Sequence, residues 1–325
     1  MHIGIIGCGK ISQRHIDAYK KLDHIKLTVS DTNVDIAEKT ADRHNINFVK
    51  NPEELLKNSN IDAIDVCVPT PYHKDIVLKS LQNDKHIFCE KPLCRTLEEA
   101  IDIKKAVEKK KKIVMVGYLY RFFPAFQLVK KVLEGNIIGK PYYSIFRVGG
   151  RGGHRIWKHT KGQGGGATYE MLVHMLDLAL WFFGNLKNPK NLYTDTIVRK
   201  RMVEGKKINV SAEDFTFLSL ESESNIKIFC QADLITPSYM SYVEIHGDNG
   251  SIFASILDYL PSIVFCKEAR GIYNRGSNFH RFSKVNVFEK ELQYFLNAIK
   301  NHTNDMNSVQ DSIKVLQVIE AIKNE

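Results

Sequence analysis

The sequence predicts an α/β protein of two domains, a doubly wound parallel sheet followed by an α+β domain on an antiparallel sheet. Three observations carry this expectation. Over the first third, short apolar runs alternate with segments of helical periodicity, the pattern of parallel strands joined by crossover helices. Beyond about Tyr118, strand-like runs follow one another with turn residues between them, the pattern of hairpins. The chain has 325 residues, more than one ordinary core organises, and the change of pattern divides it into 1–120 and 121–325.

The first strand, "HIGIIG", runs into "CGKISQRHIDAYKKL", a helix with apolar positions at Ile11, Ile16, Ala18, Tyr19 and Leu22. Between them lies Gly7-x-Gly9-x-x-Ser12. The first glycine permits a tight turn and the second lets the backbone approach a pyrophosphate; Lys10 and Ile11 open the helix whose N–H groups and dipole favour an anion. The next strand, "KLTVSD", ends in Asp31, at the roughly 20-residue spacing of a carboxylate that takes ribose hydroxyls. Thr32 and Asn33 follow with no arginine to receive a 2′-phosphate, which favours NAD over NADP. Asp31 is equally suited to starting the helix in "SDTNVDIAEK".

The alternation goes on through "AIDVCVPT", "HKDIVLKSLQND", "HIFCEKP", "TLEEAIDIKKAVEKKK" and "IVMVGY". Ligands of doubly wound sheets lie at the C-terminal strand ends, which places Pro69, Thr70 and His73 of "VPTPYH", and Glu90 and Lys91 of "EKP", at the rim of the cofactor cleft. A helix with Pro124 near its first turn and a strand in "GKPYYSIFRVGG" open the second domain. Strand-like runs in "NLYTDTIVRKRMV", "INVSAEDFTFLSLES", "SNIKIFCQADLI", "SYVEIHGDNGSIFAS" and "SIVFCK" are punctuated by Glu204-Gly205, "ESESN" and Asp248-Asn249-Gly250. Helices over 287–300 and 307–323 finish the chain.

A hydrophobic content of 43% with 26% charged residues is that of an ordinary globular protein. No apolar run approaches the roughly 18 residues of a membrane span, and the first segment has neither a basic leader nor a cleavage site. Six cysteines without a CxxC pair argue against zinc and against a disulfide framework, and suit a reduced cytoplasmic protein. The net charge of +9 is dispersed, and its densest run, "KKAVEKKKK", lies on a predicted helix, so no nucleic-acid partner is expected.

The stretch "GGGATYEMLVHMLDLALWFFG" predicts a helix apolar nearly all round that still holds Glu170, His174 and Asp177 at i, i+4 and i+7, one stripe of one α-helical face. Acids and histidines on a buried helix need partners or a polar cavity. A histidine there titrates near neutral pH and suits removal of a hydroxyl proton. Arg121 and Trp157 either line a substrate pocket or serve stacking and a core ion pair. "GGHRIWKHTKGQ" reads as a loop that helps to select the substrate through Arg155, Lys158 or His159, or else lies in solvent; His15 and His154 receive no role.

In "GIIGCGKIS", "VPTPYH", "CEKPL", "GYLYRFFP" and the glycine-led helix, the chain resembles the Gfo/Idh/MocA family of NAD(P)-dependent oxidoreductases along its whole length. The resemblance implies an N-terminal Rossmann domain and a C-terminal domain whose open, mainly antiparallel sheet forms a homo-oligomer, dimer or tetramer. It implies hydride transfer between NAD, or NADP, and a secondary carbinol of a small-molecule cyclitol, sugar or nucleotide-linked sugar. Lys91 takes the family's place for the lysine that contacts substrate and cofactor, and His174 that of the acid/base. Glu170 stands where inositol dehydrogenase-like members carry aspartate, one methylene shorter, and Asp177 matches the aspartate that binds a substrate hydroxyl. The competing expectation is a dinucleotide-binding sugar sensor without turnover; retention of both Lys91 and His174 favours the enzyme.

Overall fold

The computed structural model describes residues 1–150, 153–163 and 165–323. Gly152 of the loop stretch and Gly164, first of the glycine triplet, lie outside the described residues. The helices are α1 (Lys10–Tyr19), α2 (Val34–His44), α3 (Pro52–Lys57), α4 (His73–Gln82), α5 (Leu97–Lys110), α6 (Pro124–Glu134), α7 (Val173–Phe183), α8 (Val287–Asn301) and α9 (Val309–Lys323). The strands of the first third are β1 (His2–Ile6), β2 (Lys26–Ser30), β3 (Asn47–Phe48), β4 (Ala63–Val66), β5 (His86–Glu90) and β6 (Val114–Gly117). Those that follow are β7 (Pro141–Gly149), β8 (Leu186–Asp195), β9 (Lys200–Val203), β10 (Lys206–Asn209), β11 (Phe215–Ser222), β12 (Lys227–Asp233), β13 (Met240–Gly247), β14 (Gly250–Ser255), β15 (Ser262–Cys266) and β16 (Gly276–His280).

The chain forms two compact units, Met1–Leu119 with Asn286–Ile313, and Tyr120–Val285 with the chain from Lys314. Against the division at residue 120 drawn from the sequence, α8 returns to the first unit, where it packs on α1. The return is fastened at the sheet edge: Val116 N–H donates to the Asn307 carbonyl at 2.8 Å, and Ser308 bridges to Met115 of β6. Periodicity records that α8 has an apolar face but not which sheet buries it.

In the first unit six parallel strands run in the order β3-β2-β1-β4-β5-β6. This is the doubly wound order, and it reverses between β1 and β4, where the carboxyl ends of the strands leave a crevice. Local signals set the helix starts. Asn33 accepts from Ile36 N–H to cap α2, Asn51 and Glu54 make a capping box around Pro52 on α3, and Thr96 caps α5.

The larger sheet of the second unit has eight strands in the order β16-β15-β14-β13-β7-β12-β11-β8. Every pairing is antiparallel except β7 with β12, which makes the sheet mixed and mainly antiparallel. Strands β11 and β13 alternate strictly between buried and half-buried residues. Phe146, Leu218, Cys230 and Val243 are buried on the face that α6 and α7 cover, while Tyr143, Phe217, Phe229 and Phe253 on the other face stay half-buried. The run "NLYTDTIVRKRMV" divides into β8 and β9, and β9 with β10 forms a separate hairpin turning at Glu204 (φ 51°) and Gly205 (φ 74°). Strand β16, "GSNFH", has no apolar alternation to announce it; its pairing with β15 creates it. No described helix is long and apolar enough to cross a membrane, and all six cysteines are unpaired and buried.

Candidate active site

In the first unit Gly7 has φ +99°, and a Cβ there would lie 2.6 Å from the Cys67 carbonyl oxygen, so the turn after β1 requires glycine. Nothing lies within 4 Å of where a Cβ on Gly9 would stand. Gly9 begins α1, which has no side-chain cap, so the N–H groups of the first turn, at Lys10 and Ile11, face an open approach. The Asp31 carboxylate is fastened to this loop by Cys8 N–H at 2.8 Å and by Asn33 N–H at 2.9 Å. An open glycine at an uncapped helix start, with a carboxylate at the end of β2, fits a dinucleotide with unmodified ribose.

The loops after β4 and β5 are tied together. Pro69 is exposed, Thr70 is buried, and His73 is fully enclosed between the Val68 carbonyl (Nε2, 2.8 Å) and the Pro92 carbonyl (Nδ1, 2.9 Å). Burial outweighs these two carbonyls and holds the His73 imidazole below its ordinary pKa. His73 therefore staples the loop after β4 to the Lys91-Pro92 segment, whose peptide bond is cis. Lys91 is half-buried, and its N–H donates to Glu90 Oε2 at 3.2 Å. The other Glu90 oxygen turns inward to His15 Nε2 at 3.1 Å, and His15 Nδ1 lies 2.9 Å from Asp65. Cys67 Sγ completes this cluster, donating to Asp65 at 3.3 Å. His15, Asp65 and Cys67 are metal-ligating types in one place, yet their contacts are hydrogen bonds to one another. Sequence reasoning left His15 without a role and passed over Asp65, because a crossover helix and a strand well separated in the chain meet here only through the fold.

In the second unit a Cβ on Gly165 would lie 2.3 Å from the Lys158 carbonyl, and one on Gly166 (φ +119°) 2.3 Å from the Glu213 carboxylate. The described glycines of the triplet thus make room for the Trp157-Lys158 loop and for Glu213. That acid takes the free end of the following helix: Thr168 N–H donates to its Oε1 at 3.3 Å and Ala167 N–H to its carbonyl at 2.8 Å. The sequence predicts one α-helix over 166–183, but the structure starts with a π turn, Thr168–Leu172, and becomes α-helical from Val173. The i→i+5 bonding of a π turn adds a residue to the turn. Glu170 therefore sits in a π turn and His174 and Asp177 in the α-helix that follows it, where the sequence reading assumes one α-helix throughout.

The three polar residues accordingly look at different things. Glu170, buried, pairs with Lys158, whose ammonium also lies 5.2 Å from the centre of the Trp157 ring. Asp177 takes a bidentate pair from Arg121, Nε at 2.9 Å and Nη2 at 2.6 Å, with both side chains almost wholly buried. Of the residues from Glu170 to Leu180, His174 alone keeps partial solvent exposure. Its imidazole stacks on Tyr120, the centroids 4.4 Å apart and the planes 14° from parallel, and the Tyr120 hydroxyl bonds that of Tyr239. Tyr120 and Tyr239 escaped sequence reasoning, although Tyr120 sits beside Arg121 in "GYLYRFFP". His159 is buried and fastens its loop, with Nε2 2.8 Å from the Gly153 carbonyl.

Residues 1–118 match the description "Oxidoreductase family, NAD-binding Rossmann fold", and residues 126–253 match "GFO/IDH/MocA C-terminal domain". The chain belongs to the Gfo/Idh/MocA family. As a member it is an NAD-dependent oxidoreductase whose first unit is the NAD-binding Rossmann domain. Myo-inositol 2-dehydrogenase of Thermotoga maritima is 27% identical over 307 residues, which cover 93% of this chain and 88% of the relative. The inositol 2-dehydrogenase/D-chiro-inositol 3-dehydrogenase of Shouchella clausii is 29% identical over 281 residues, covering 83% and 75%. Among solved structures, levoglucosan dehydrogenase in complex with NADH and L-sorbose has the same fold, with a TM-score of 0.91 at 22% identity over 100% of this chain and 96% of that one.

Proposed function

We propose that this Gfo/Idh/MocA member oxidises a secondary hydroxyl of a cyclic polyol or sugar, free or nucleotide-linked, with His174 as acid/base and Lys91 as the stabilising cation. The observation that carries the reading is the selective exposure of His174 on a helix segment otherwise buried. A histidine held by an aromatic stack on a rigid helix, reaching solvent where its neighbours do not, is placed for proton transfer and poorly explained by packing. The inositol and levoglucosan of the relatives' names are ring compounds with secondary hydroxyls, which supports the substrate class.

When bound, NAD supplies the hydride acceptor. His174 takes the hydroxyl proton, and the Lys91 ammonium lowers the energy of alkoxide character as the carbinol is oxidised. Gly7, Gly9, Lys10, Ile11, Asp31, Pro69 and Thr70 are assigned to the cofactor, with His73 and Glu90 holding the loops that carry Lys91. Glu170, with Lys158 and Trp157, is assigned to substrate hydroxyls. Arg121 and Asp177, whose buried pair anchors α7, are assigned with them to the substrate side of the site.

The partner we assign is a second copy of the chain. The outer sheet face presents Tyr143, Phe217, Phe229, Phe253, Phe265 and Phe279, partly exposed aromatic side chains of the kind that association covers. The six buried thiols support a cytoplasmic setting. The test of the activity is NADH formation from NAD across inositols, anhydrosugars, free aldoses and UDP-sugars. Turnover of one ring-polyol class, lost in both Lys91→Ala and His174→Ala, is the expected result; turnover that survives either substitution overturns the assignment of that residue.

A further inference from the structure

Helix α1 reaches the turn assigned to the cofactor without a side-chain cap and without an acid in its first turn, and the Ser12 hydroxyl turns back to donate to the Gly9 carbonyl at 2.8 Å. The first-turn N–H groups are therefore held in place by what anchors the helix further along. His15 lies one turn beyond Ile11 on the buried side of α1 and is 0% exposed, as is Asp65. Its ring nitrogens lie 2.9 Å from Asp65 Oδ2 on β4 and 3.1 Å from Glu90 Oε1 at the end of β5, so one ring spans two adjacent strands of the sheet. A neutral imidazole has one N–H and would turn a lone pair toward one of these carboxylates. Two acceptors on opposite sides of one ring are satisfied together by imidazolium. Burial opposes that charge, but Asp65 and Cys67 outweigh it and raise the His15 pKa well above its ordinary value. Burial likewise opposes the Glu90 charge, and His15, with Lys91, overcomes it and keeps Glu90 ionised. Cys67 after β4 also lies against the ring, Tyr19 of α1 faces Asp65 with Glu291 of α8 beside it, and Phe88 and Phe288 close the other sides.

We propose that His15 is a positioning residue for the cofactor: bridging Asp65 and Glu90 from the buried side of α1, it sets the first turn of that helix, Lys10 and Ile11, where the cofactor pyrophosphate meets its N–H groups. The proposal rests on the assignment of that turn to the cofactor above and concerns binding, not hydride transfer. An uncharged side chain at position 15 leaves two buried carboxylates facing one another across a single ring's width. The helix then moves outward, or one carboxyl takes a proton and gives up its bond. Either change displaces or loosens the first turn, because a rigid helix passes a shift at His15 to Ile11 one turn away. Backbone N–H groups have no side-chain freedom with which to follow a pyrophosphate, so recognition depends on where the anchor places the helix.

The test needs no substrate. Binding to the full chain is measured by calorimetry with NAD and ADP-ribose, which carry a pyrophosphate, and by ligand-observed NMR with adenosine, which does not. In His15→Gln, NAD and ADP-ribose weaken by about tenfold, the worth of one N–H bond to a charged acceptor, and adenosine stays within about twofold. Asp65→Asn, which weakens one end of the bridge, gives a smaller loss with the same selectivity. Nitrogen-15 spectra of the histidines show both His15 nitrogens protonated near neutral pH. Unchanged NAD affinity in His15→Gln, an equal loss for adenosine, or a neutral His15 tautomer overturns the proposal. Should His15→Gln fail to fold, Asp65→Asn and the histidine spectrum decide it. A wild type that binds no dinucleotide overturns the cofactor assignment itself, which is a separate result.

Discussion

At the residue scale, the proposed chemistry rests on His174 and on the Tyr120 ring stacked against it. Removing the imidazole in His174→Ala lowers kcat by about 10² to 10⁴-fold while NAD affinity, measured by fluorescence titration, stays within about twofold. The stacked ring of Tyr120 separates orientation from hydrogen bonding. Tyr120→Phe keeps the ring on His174 and loses only the bond to Tyr239, whereas Tyr120→Leu loses both. The expected order of kcat is wild type, then Tyr120→Phe, then Tyr120→Leu, the last down by at least about tenfold because a loosely held base is seldom in line; a Leu variant as active as the Phe variant would sink the stacking role. His174 stands out in the sequence because a histidine between carboxylates on an apolar helix is a conspicuous violation of burial. Tyr120 was not, since an aromatic at a domain boundary looks like any core residue until its ring is seen to lie flat on an imidazole.

At the element scale, α7 is held by charge inside an apolar shell. The Arg121–Asp177 pair is almost fully enclosed, so Arg121→Ala takes the bidentate partner from a buried carboxylate and costs about 3 to 5 kcal/mol of unfolding free energy. The double change Arg121→Met with Asp177→Leu recovers most of that loss, because the desolvation cost leaves with the charges. Chemical denaturation of the three variants checks both statements. Thiols provide a second prediction at this scale. Burial pushes Cys8 and Cys94 up to about 12, and the others are likewise raised, so none of the six is alkylated by iodoacetamide at mildly alkaline pH unless denaturant is present. Mass spectrometry of the native and unfolded protein reads this directly. The π turn at Thr168–Leu172 was not readable from periodicity, which assumes α geometry; here backbone N–H groups are drawn to Glu213, a residue remote in sequence.

At the scale of the molecule, pH and association are the observables. His15 is raised in the fold, so its contribution to stability is fully present below the unfolded histidine pKa of about 6.5 and is lost as pH rises through the higher folded value. Glu90 is lowered, and its contribution is lost in the opposite direction, as pH falls through its folded value below the ordinary carboxylate range. Urea unfolding of wild type against His15→Gln therefore shows the largest gap below about pH 6.5 and a narrowing gap above it; a gap that widens with pH refutes the imidazolium. Light scattering after size exclusion is expected to report an oligomer, and a paired Phe229→Glu, Phe253→Glu variant a smaller species, since two buried charges would face each other across the outer sheet.

What the amino-acid sequence by itself determined is what local rules govern. Period-2 and period-3.6 patterns with their caps and turns gave the doubly wound sheet, the mainly antiparallel sheet beyond it and their order along the chain, but not the parallel pairing of β7 with β12. Glycine at positions 7 and 9 and the carboxylate at 31 marked the loop we assign to the cofactor, because backbone conformation and pyrophosphate approach constrain residue type directly. The tertiary structure alone decided which charges meet: Arg121 with Asp177, Lys158 with Glu170, His15 with both Asp65 and Glu90, and α8 with the first unit and not the second. A buried ion pair leaves no periodic trace, since its partners come from different elements and either one, read alone, is indistinguishable from a residue that binds a ligand.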